Sequence, residues 1–505
     1  MFDPRFDAFV GVHSARLFAE SSGRTTAGFL LWGDGVRLTG QARNGRVPVR
    51  SRGRSGWVEE SALNGGKSLL EVYFIDVGQG DGVLIKTPDF RHIMIDGGHP
   101  RQMQNTGKSA ADFVDWKFFE DYGSDRIELD AMIASHNDLD HYGGLADLLD
   151  AAQEAELDAK SINVEAFYHA GISWWVDPDT GRRTLGETIK EDGDTYYVQL
   201  LEDRRSAMAA LDPDGRHRLQ GTWGDFIEKV AISARQKTGR PTPIARLSHL
   251  SKHLPGFAPR GDGPAIAVLG PIESNLRGRP GLPRLGAESR TANGNSILLR
   301  LDYGRARILL TGDLNKDSQR LLLKAYAGRR LEFQCDVAKA CHHGSEDVSF
   351  AFLQAMAASA TVISSGDAEG HDHPRPQIVA ASGAAGHLTV DGDEIITPLV
   401  YSTELARSVS LGRPGALEID RGLVDENGPM RIETADLHKV VVEFTETKPG
   451  DLRPRTKRKR LSQAHVVAGL VYGLVNVRTD GDTILTATMN ENDGSWSEKS
   501  FPSRF

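Results

Sequence analysis

Cysteine is nearly absent, with only Cys335 and Cys341 among 505 residues. Six positions apart around an apolar stretch, they exclude the disulfide framework of small secreted folds and fit a reducing compartment. Long apolar runs are missing too. The longest, from His465 to Val477, is broken by Gly469 and Gly473 and falls short of the roughly 20 residues that span a bilayer. The N-terminal stretch MFDPRFDAFVGVHSARLFAE has neither the basic start nor the apolar core of a signal peptide, so a cytoplasmic, unanchored protein is expected. A positive surplus is also lacking: 60 Lys and Arg against 69 Asp and Glu leave a formal charge of −9. Nothing global attracts a polyanion, so any nucleic-acid contact must come from local patches or metal ions.

What is present describes an ordinary soluble protein. The chain is 39% hydrophobic and 26% charged, with 54 Gly and 22 Pro, which excludes collagen-like, disordered and coiled-coil classes. At roughly 150 residues per domain, two to four domains are expected. Short alternating stretches separated by turns between Gly28 and Leu63 predict a small β unit. Its arginines Arg43, Arg46, Arg50, Arg52 and Arg54 read as a solvated face. From Leu69 strands alternate with turns and helices. Residues 175–260 are charged and helix-prone and read as an inserted helical region, and strands resume at AIAVLGP, SILLRLDY and ARILLTGD. The stretch ending VNVRTDGDTILTATM predicts a β-hairpin with an Asp-Gly turn. The basic run RPRTKRKR at 453–460 is expected as an exposed loop.

The chemistry concentrates in SHNDLDHYGG, where His136, Asp138, Asp140 and His141 follow an apolar strand. A helix N-terminus explains one aspartate there, not the two histidines. In an extended loop alternate side chains project together, so His136 and Asp138 can share one cation while Asp140 and His141 turn to a second.

The H-x-D-x-D-H form followed by Gly-Gly resembles the signature of the metallo-β-lactamase superfamily, whose common version has histidine at the position of Asp138. Further landmarks arrive in that family's order: VGQGD with Asp81, IDGG with Asp96, TGD with Asp313, HHGS from His342, and GHDHP ending at Pro374. Together they resemble the metallo-hydrolase domain of DNA-uptake competence channel proteins and their soluble relatives. The resemblance implies an α/β fold, a four-layer αββα sandwich, over about residues 67–400. An N-terminal segment, 1–66, carries the β unit, which resembles bacterial SH3-like modules, and a β-rich extension covers 401–505. Carried across, the resemblance makes His136, Asp138, Asp140 and His141 metal ligands and Asp313 the carboxylate bridging two cations.

His342 and His343 follow the strand VAKAC, and neighbours on a strand point to opposite faces. His342 is favoured as the ligand and His343 as a substrate-side residue, the reverse order staying open. His373 is a candidate last ligand or general acid, and His371 reads as an exposed loop histidine. Cys341 reads as a small buried hydrophobe. Where many family members place a further histidine, this chain offers Asn293, Asn295 and Ser296. Oxygen donors favour harder cations, which makes Mn²⁺ a rival of Zn²⁺, as one or two ions.

Two bridged cations lower the pKa of a shared water and neutralise charge on a phosphodiester. The expected reaction is hydrolysis of nucleic acid or a nucleotide, with Asp140 in the reacting centre and His373 or His343 protonating the leaving oxygen. A lactone, ester or amide hydrolase on the same site, and a binding scaffold with a vestigial site, are the alternatives. A protein partner could dock on the SH3-like module or the C-terminal extension, and no membrane association is expected.

Overall fold

Apolar strands of the central region stack face to face as two sheets in the computed structural model. It describes the chain except residues 1–3, 105–106, 151–155, 236–237, 367–372, 404–409, 413–414, 420–429, 447–454, 461–465, 469–473 and 490–493. The first sheet has nine strands, in the order Ile244–Arg246, Phe167–His169, Ala131–Ala134, His92–Gly97, Gly82–Lys86, Leu70–Ile75, Leu474–Thr479, Thr483–Met489 and Trp496–Pro502. The second has six: Ala265–Gly270, Leu298–Tyr303, Ala306–Leu310, Val337–Lys339, Ala360–Ile363 and Leu399–Ser402.

Because side chains alternate across a strand, consecutive apolar residues serve two cores. Val72, Phe74, Ile93 and Ile133 of the first sheet meet Leu299, Ile308, Val337 and Val362 of the second. Their neighbours point outward. Leu84, Met94 and Met132 pack under Phe113, Leu145 and Phe226 of three helices, and Leu298, Leu309 and Ala338 pack under Leu322, Phe352 and Ile378 of three more. Helices, sheet, sheet, helices make the four layers of the expected αββα sandwich.

In each sheet four neighbouring strands run parallel: His92–Gly97, Ala131–Ala134, Phe167–His169 and Ile244–Arg246 in one, and Ala306–Leu310, Val337–Lys339, Ala360–Ile363 and Leu399–Ser402 in the other. Parallel strands gather their carboxyl ends at one edge, where open α/β sheets place their chemistry.

Six antiparallel strands between Ala8 and Glu59 precede the sandwich and close around Val10, Leu17, Leu30, Val36, Val49 and Val58. Buried charges tie this unit to the sandwich. Arg478, fully buried, pairs with Asp34 (2.7 Å) and Glu71 (3.7 Å) and donates to the Leu31 carbonyl (3.3 Å). Glu71 pairs with Lys86 (2.7 Å), and Lys117 with Asp121 (2.7 Å).

Three expectations need correction. The region 175–260 is not purely helical: besides the helices Arg204–Ala210 and Gly221–Ile232 it holds the strands Trp175–Val176, Arg183–Thr184, Thr188–Glu191, Asp194–Tyr197 and Ile244–Arg246. Its charges hid a hairpin whose two-residue Asp192-Gly193 turn has φ of 50° and 87°, the left-handed geometry that favours Asp-Gly. The expected Asp-Gly hairpin near the C-terminus forms, but it is no separate extension: Leu474–Thr479 pairs antiparallel with Leu70–Ile75 and is buried throughout. The run at 453–460 is not simply a loop, since Arg455–Arg460 forms a strand against Val441–Glu446. Glu443, opposite Arg458 at 3.5 Å, offsets part of the like-charge repulsion.

That pair belongs to a second compact unit, Arg407–Val471 with Asn490–Asp493, whose described part also pairs Ser410–Gly412 with Val466–Ala468 and Ala416–Ile419 with Met430–Glu433. Among the described residues no helix is long and apolar enough to cross a membrane, and both cysteines are buried and free.

Candidate metal centre

The loop that carries the centre leaves the buried strand Ala131–Ala134 and enters the helix Leu139–Leu149. Ser135 donates its backbone N–H to Asp96 Oδ1 (2.7 Å), which anchors the loop to the end of the adjacent strand. Asp138 occupies the helix N-cap, yet its side chain makes no capping bond and turns toward the centre, with Oδ2 3.7 Å from His136 Nε2. The glycines of the motifs allow close approach. A β-carbon on Gly144 would collide with the Gly97 carbonyl, and one on Gly80, where φ is 115°, with the carbonyl of Asp140.

Each central imidazole is held at one nitrogen and aims the other inward. His141 Nδ1 meets Asp96 Oδ2 at 2.9 Å, and its Nε2 lies 3.3 Å from Asp313 Oδ2. His343 Nδ1 meets Asp81 Oδ1 (3.2 Å) and the Ser364 carbonyl (3.1 Å), and its Nε2 lies 3.1 Å from Asp313 Oδ2 and 3.9 Å from Asp140 Oδ2. His136 Nδ1 faces the hydroxyls of Ser135 (3.1 Å) and Ser296 (3.3 Å). The Ser296 hydroxyl also accepts the backbone N–H of Asp313 (3.1 Å), linking the two motifs. A histidine whose outer nitrogen is engaged by a carboxylate has a fixed tautomer and a more basic inner nitrogen.

Donor atoms gather within 4.8 Å of one another in the triads His136–His141–Asp313 and Asp140–His141–His343, and in two more that add Asp81 or Asp96. The first two share His141, and Asp313 Oδ2 contacts the imidazoles of His141 and His343. The Nε2 atoms of His136, His141 and His343 are buried and make no well-aligned hydrogen bond. Leaving such atoms unpaired costs about 1–3 kcal/mol each. Imidazole and carboxylate donors suit Zn²⁺ and Mn²⁺ alike, so the residues present fit the expected cation.

Charge points the same way. Among the described residues, five carboxylates, Asp81, Asp96, Asp138, Asp140 and Asp313, gather around the three imidazoles with one ammonium, Lys339, beside them. That ammonium pairs with Asp81, lies 3.7 Å from Asp313 Oδ1 and donates to the Gly312 carbonyl (3.0 Å). Burial and the adjoining Asp140 push the Asp138 carboxyl up to about 7. Burial, reinforced by the positive His141, pushes His136 down to about 3. Burial also opposes charge on His343, but Asp313 and Asp81 outweigh it and lift the imidazole to about 9. The same balance, with His343 and His141 outweighing burial, holds Asp313 well below the usual carboxylate range.

Of the residues expected to bind metal, His136, Asp140, His141 and Asp313 stand in the donor triads. Asp138 and His342 stand at the rim, His342 25% exposed with Nε2 3.8 Å from Asp313 Oδ2. The HHGS segment is not the end of a strand. Cys341–Gly344 is a tight turn with φ of 48° at His342 and 53° at His343, so strand alternation does not apply. The turn sends His343 inward to a donor triad and leaves His342 lining an open cavity of about 730 Å³ with Asn293, Ser289 and Lys316. The ring of His373 lies 5.9 Å from that of His342, and His371 falls outside the described residues.

Sequence reasoning registered Asp81 and Asp96 only as landmarks, and Lys339 not at all. Signals existed for both: acids at the ends of apolar stretches, and a lone lysine inside one. With its amide nitrogen facing Asp138, Asn293 donates to Asp138 Oδ2 (2.9 Å) and to the Ser289 carbonyl (2.8 Å).

A model of the metallo-beta-lactamase superfamily matches residues 75–366. ComE operon protein 3 of Bacillus subtilis (strain 168) is 23% identical over 318 residues, 61% of this chain and 30% of that protein. The chain thus spans less than a third of that relative's length. Among solved structures, the metallo-beta-lactamase fold protein YhfI from Bacillus subtilis matches 66% of this chain and 96% of its own, at 12% identity and a TM-score of 0.29.

Proposed function

The chain belongs to the metallo-beta-lactamase superfamily, and from that premise we propose that it is a metal-dependent hydrolase of phosphodiesters in nucleic acid or nucleotides. One or two Zn²⁺ or Mn²⁺ ions held by His136, Asp140, His141, Asp313 and His343 would supply the positive charge that polarises a phosphoryl oxygen and acidifies a water. The protein's own residues do the rest. Asp96 and Asp81 keep the inner nitrogens of His141 and His343 unprotonated when a cation binds, by taking the outer N–H of each ring. Asp138, its side chain 27% exposed and its carboxyl near 7, is suited to receive the proton of the attacking water. Proton delivery to the leaving oxygen is assigned to the His342–His373 pair, supported by the exposure of His342 and its place on the cavity wall.

The observation that carries this reading is the meeting of three buried imidazole nitrogens at Asp313. Phosphodiesters are favoured because the surplus carboxylates call for divalent charge, which also stabilises a pentavalent phosphoryl group, and because the motif set resembles that of the competence-type hydrolases. A small-molecule lactone, ester or amide substrate is the second reading, supported by a cavity of about 730 Å³, the size of a small-ligand site. Labelled single- and double-stranded DNA, RNA, a chromogenic phosphodiester and a lactone panel, each with Mn²⁺ or Zn²⁺ and against Asp140→Ala, separate the two. Lactone cleavage alone establishes the second reading. Inactivity on every substrate overturns both.

A further inference from the structure

We propose that Arg183, on the inserted segment, is a substrate-binding residue that grips a phosphate group beside the reacting one. The assignment rests on the phosphodiester reading above.

Arg183 belongs to the two-residue strand Arg183–Thr184, paired antiparallel with Trp175–Val176. Its guanidinium carbon lies 4.1 Å from the ring centroid of Trp174. Trp174 is only 5% exposed, and its indole N–H donates to the carbonyl of Asn137 (3.0 Å), the residue between His136 and Asp138. The plate on which the guanidinium lies is therefore bonded directly to the metal loop. On the other side, the Thr184 hydroxyl and the Leu185 N–H both donate to Glu288 Oε1 (2.9 Å each). Glu288 opens the short helix Glu288–Gly294, whose Ser289, Arg290 and Asn293 line the cavity beside His342. Arg183 is thus suspended between the loop that carries His136 and the helix that borders the cavity.

The side chain is exposed, and among the described residues it forms no salt bridge, although its charge acts through space on the Asp138 carboxyl. Arg290 differs, its charge being met by Asp317 (3.0 Å) and Asp347 (3.0 Å). Lys339 is likewise committed to Asp81. A guanidinium held over an indole ring keeps N–H groups available for bonding to phosphate. A centre rich in carboxylates repels a polyanion until cations balance it, so a substrate with more than one phosphate needs positive charge outside the metal ligands. Arg183 supplies it at a fixed distance from the loop.

The test measures equilibrium binding of a fluorescent phosphorothioate single-stranded oligonucleotide to the full chain loaded with Mn²⁺, for wild type, Arg183→Ala, Arg183→Lys and Arg183→Gln. Bound metal and thermal melting are recorded alongside. The expected result is a roughly 10- to 100-fold weaker affinity for Arg183→Ala, Arg183→Lys falling between, and a fall of about 0.7 in the salt-dependence slope. In cleavage assays KM should rise with kcat nearly unchanged. Unaltered affinity and slope in both Arg183→Ala and Arg183→Gln would show that Arg183 only covers Trp174 and would overturn the assignment, whether or not the wild type cleaves. Wild-type binding that depends on Arg183 without any phosphodiester cleavage would leave this contact standing and sink the proposed reaction.

Discussion

Two clusters of buried charge lie in this protein, and they are built to opposite rules. Around Arg478 every acid has a cation partner: Asp34 has Arg52 and Arg478, Glu71 has Lys86, and Asp121 has Lys117. Around Asp313, five carboxylates face one lysine and three imidazoles with unsatisfied inner nitrogens. The matched cluster is closed and holds the N-terminal β unit and the C-terminal hairpin on the first sheet. The unmatched one is open to a cation. Buried charge by itself does not mark a site, but a surplus of one sign with uncommitted donor atoms does.

The largest effect that would break the contrast is catalytic. Asp313→Ala should lower hydrolysis by at least about 10³-fold and deplete bound metal, while the urea midpoint of the metal-free protein changes little or rises, because a surplus charge has gone. Arg478→Met should do the reverse. Removing the guanidinium that Asp34 and Glu71 share, with Arg52 and Lys86 left to offset part of their charge, costs about 3 kcal/mol, read from urea unfolding, with bound metal per folded molecule unchanged. If Arg478→Met removed metal and left stability intact, the division between the clusters would be wrong.

Smaller effects sharpen it. Asp96→Asn leaves His141 in place but removes the carboxylate that holds its outer nitrogen, and should weaken metal affinity by about 10- to 100-fold, measured by competition with a chelating dye. The two clusters should also respond oppositely to pH. Burial resists ionisation of Glu71, but Lys86, Arg478 and Lys117 outweigh it and hold the carboxyl below its usual range. A depressed carboxylate contributes stability above its unfolded value of about 4.3, lost as pH falls through the folded value. Glu71→Gln should therefore flatten the acid side of the stability profile below about pH 4. At the metal centre, His343 carries a proton at neutral pH, lifted to about 9. Cation binding at pH 7 should release that proton, and affinity should rise as pH climbs toward 9. Calorimetry in buffers of different ionisation enthalpy measures the release, and none at pH 7 would contradict the electrostatics described.

Much of the fold was legible because a buried strand declares itself by apolar residues in a row. LLEVYFIDV, AIAVLG and ARILL each read as a strand, and each holds one. In the inserted region charge masks pattern: ETIKED looks helical by composition, yet the Asp192-Gly193 turn at its end makes it one arm of a hairpin. The C-terminal hairpin is legible in the sequence, but its place beside Leu70–Ile75 is not, because strand partners far apart in the chain leave no local trace. In the centre, the loop from His136 to His141 and the Asp313 turn were recognisable by residue type and position. The order of His342 and His343 was not, since it depends on left-handed backbone angles at both residues, which residue types alone do not set.

The sequence by itself determined which donors sit at the ends of which strands, because apolar runs must be buried and the polar residues that end them must emerge at a sheet edge. Only the tertiary structure decided which nitrogen of each histidine faces inward and which acid holds it from behind. Those directions come from contacts between distant segments: Asp96 behind His141, Asp81 behind His343 and Ser296 between His136 and Asp313.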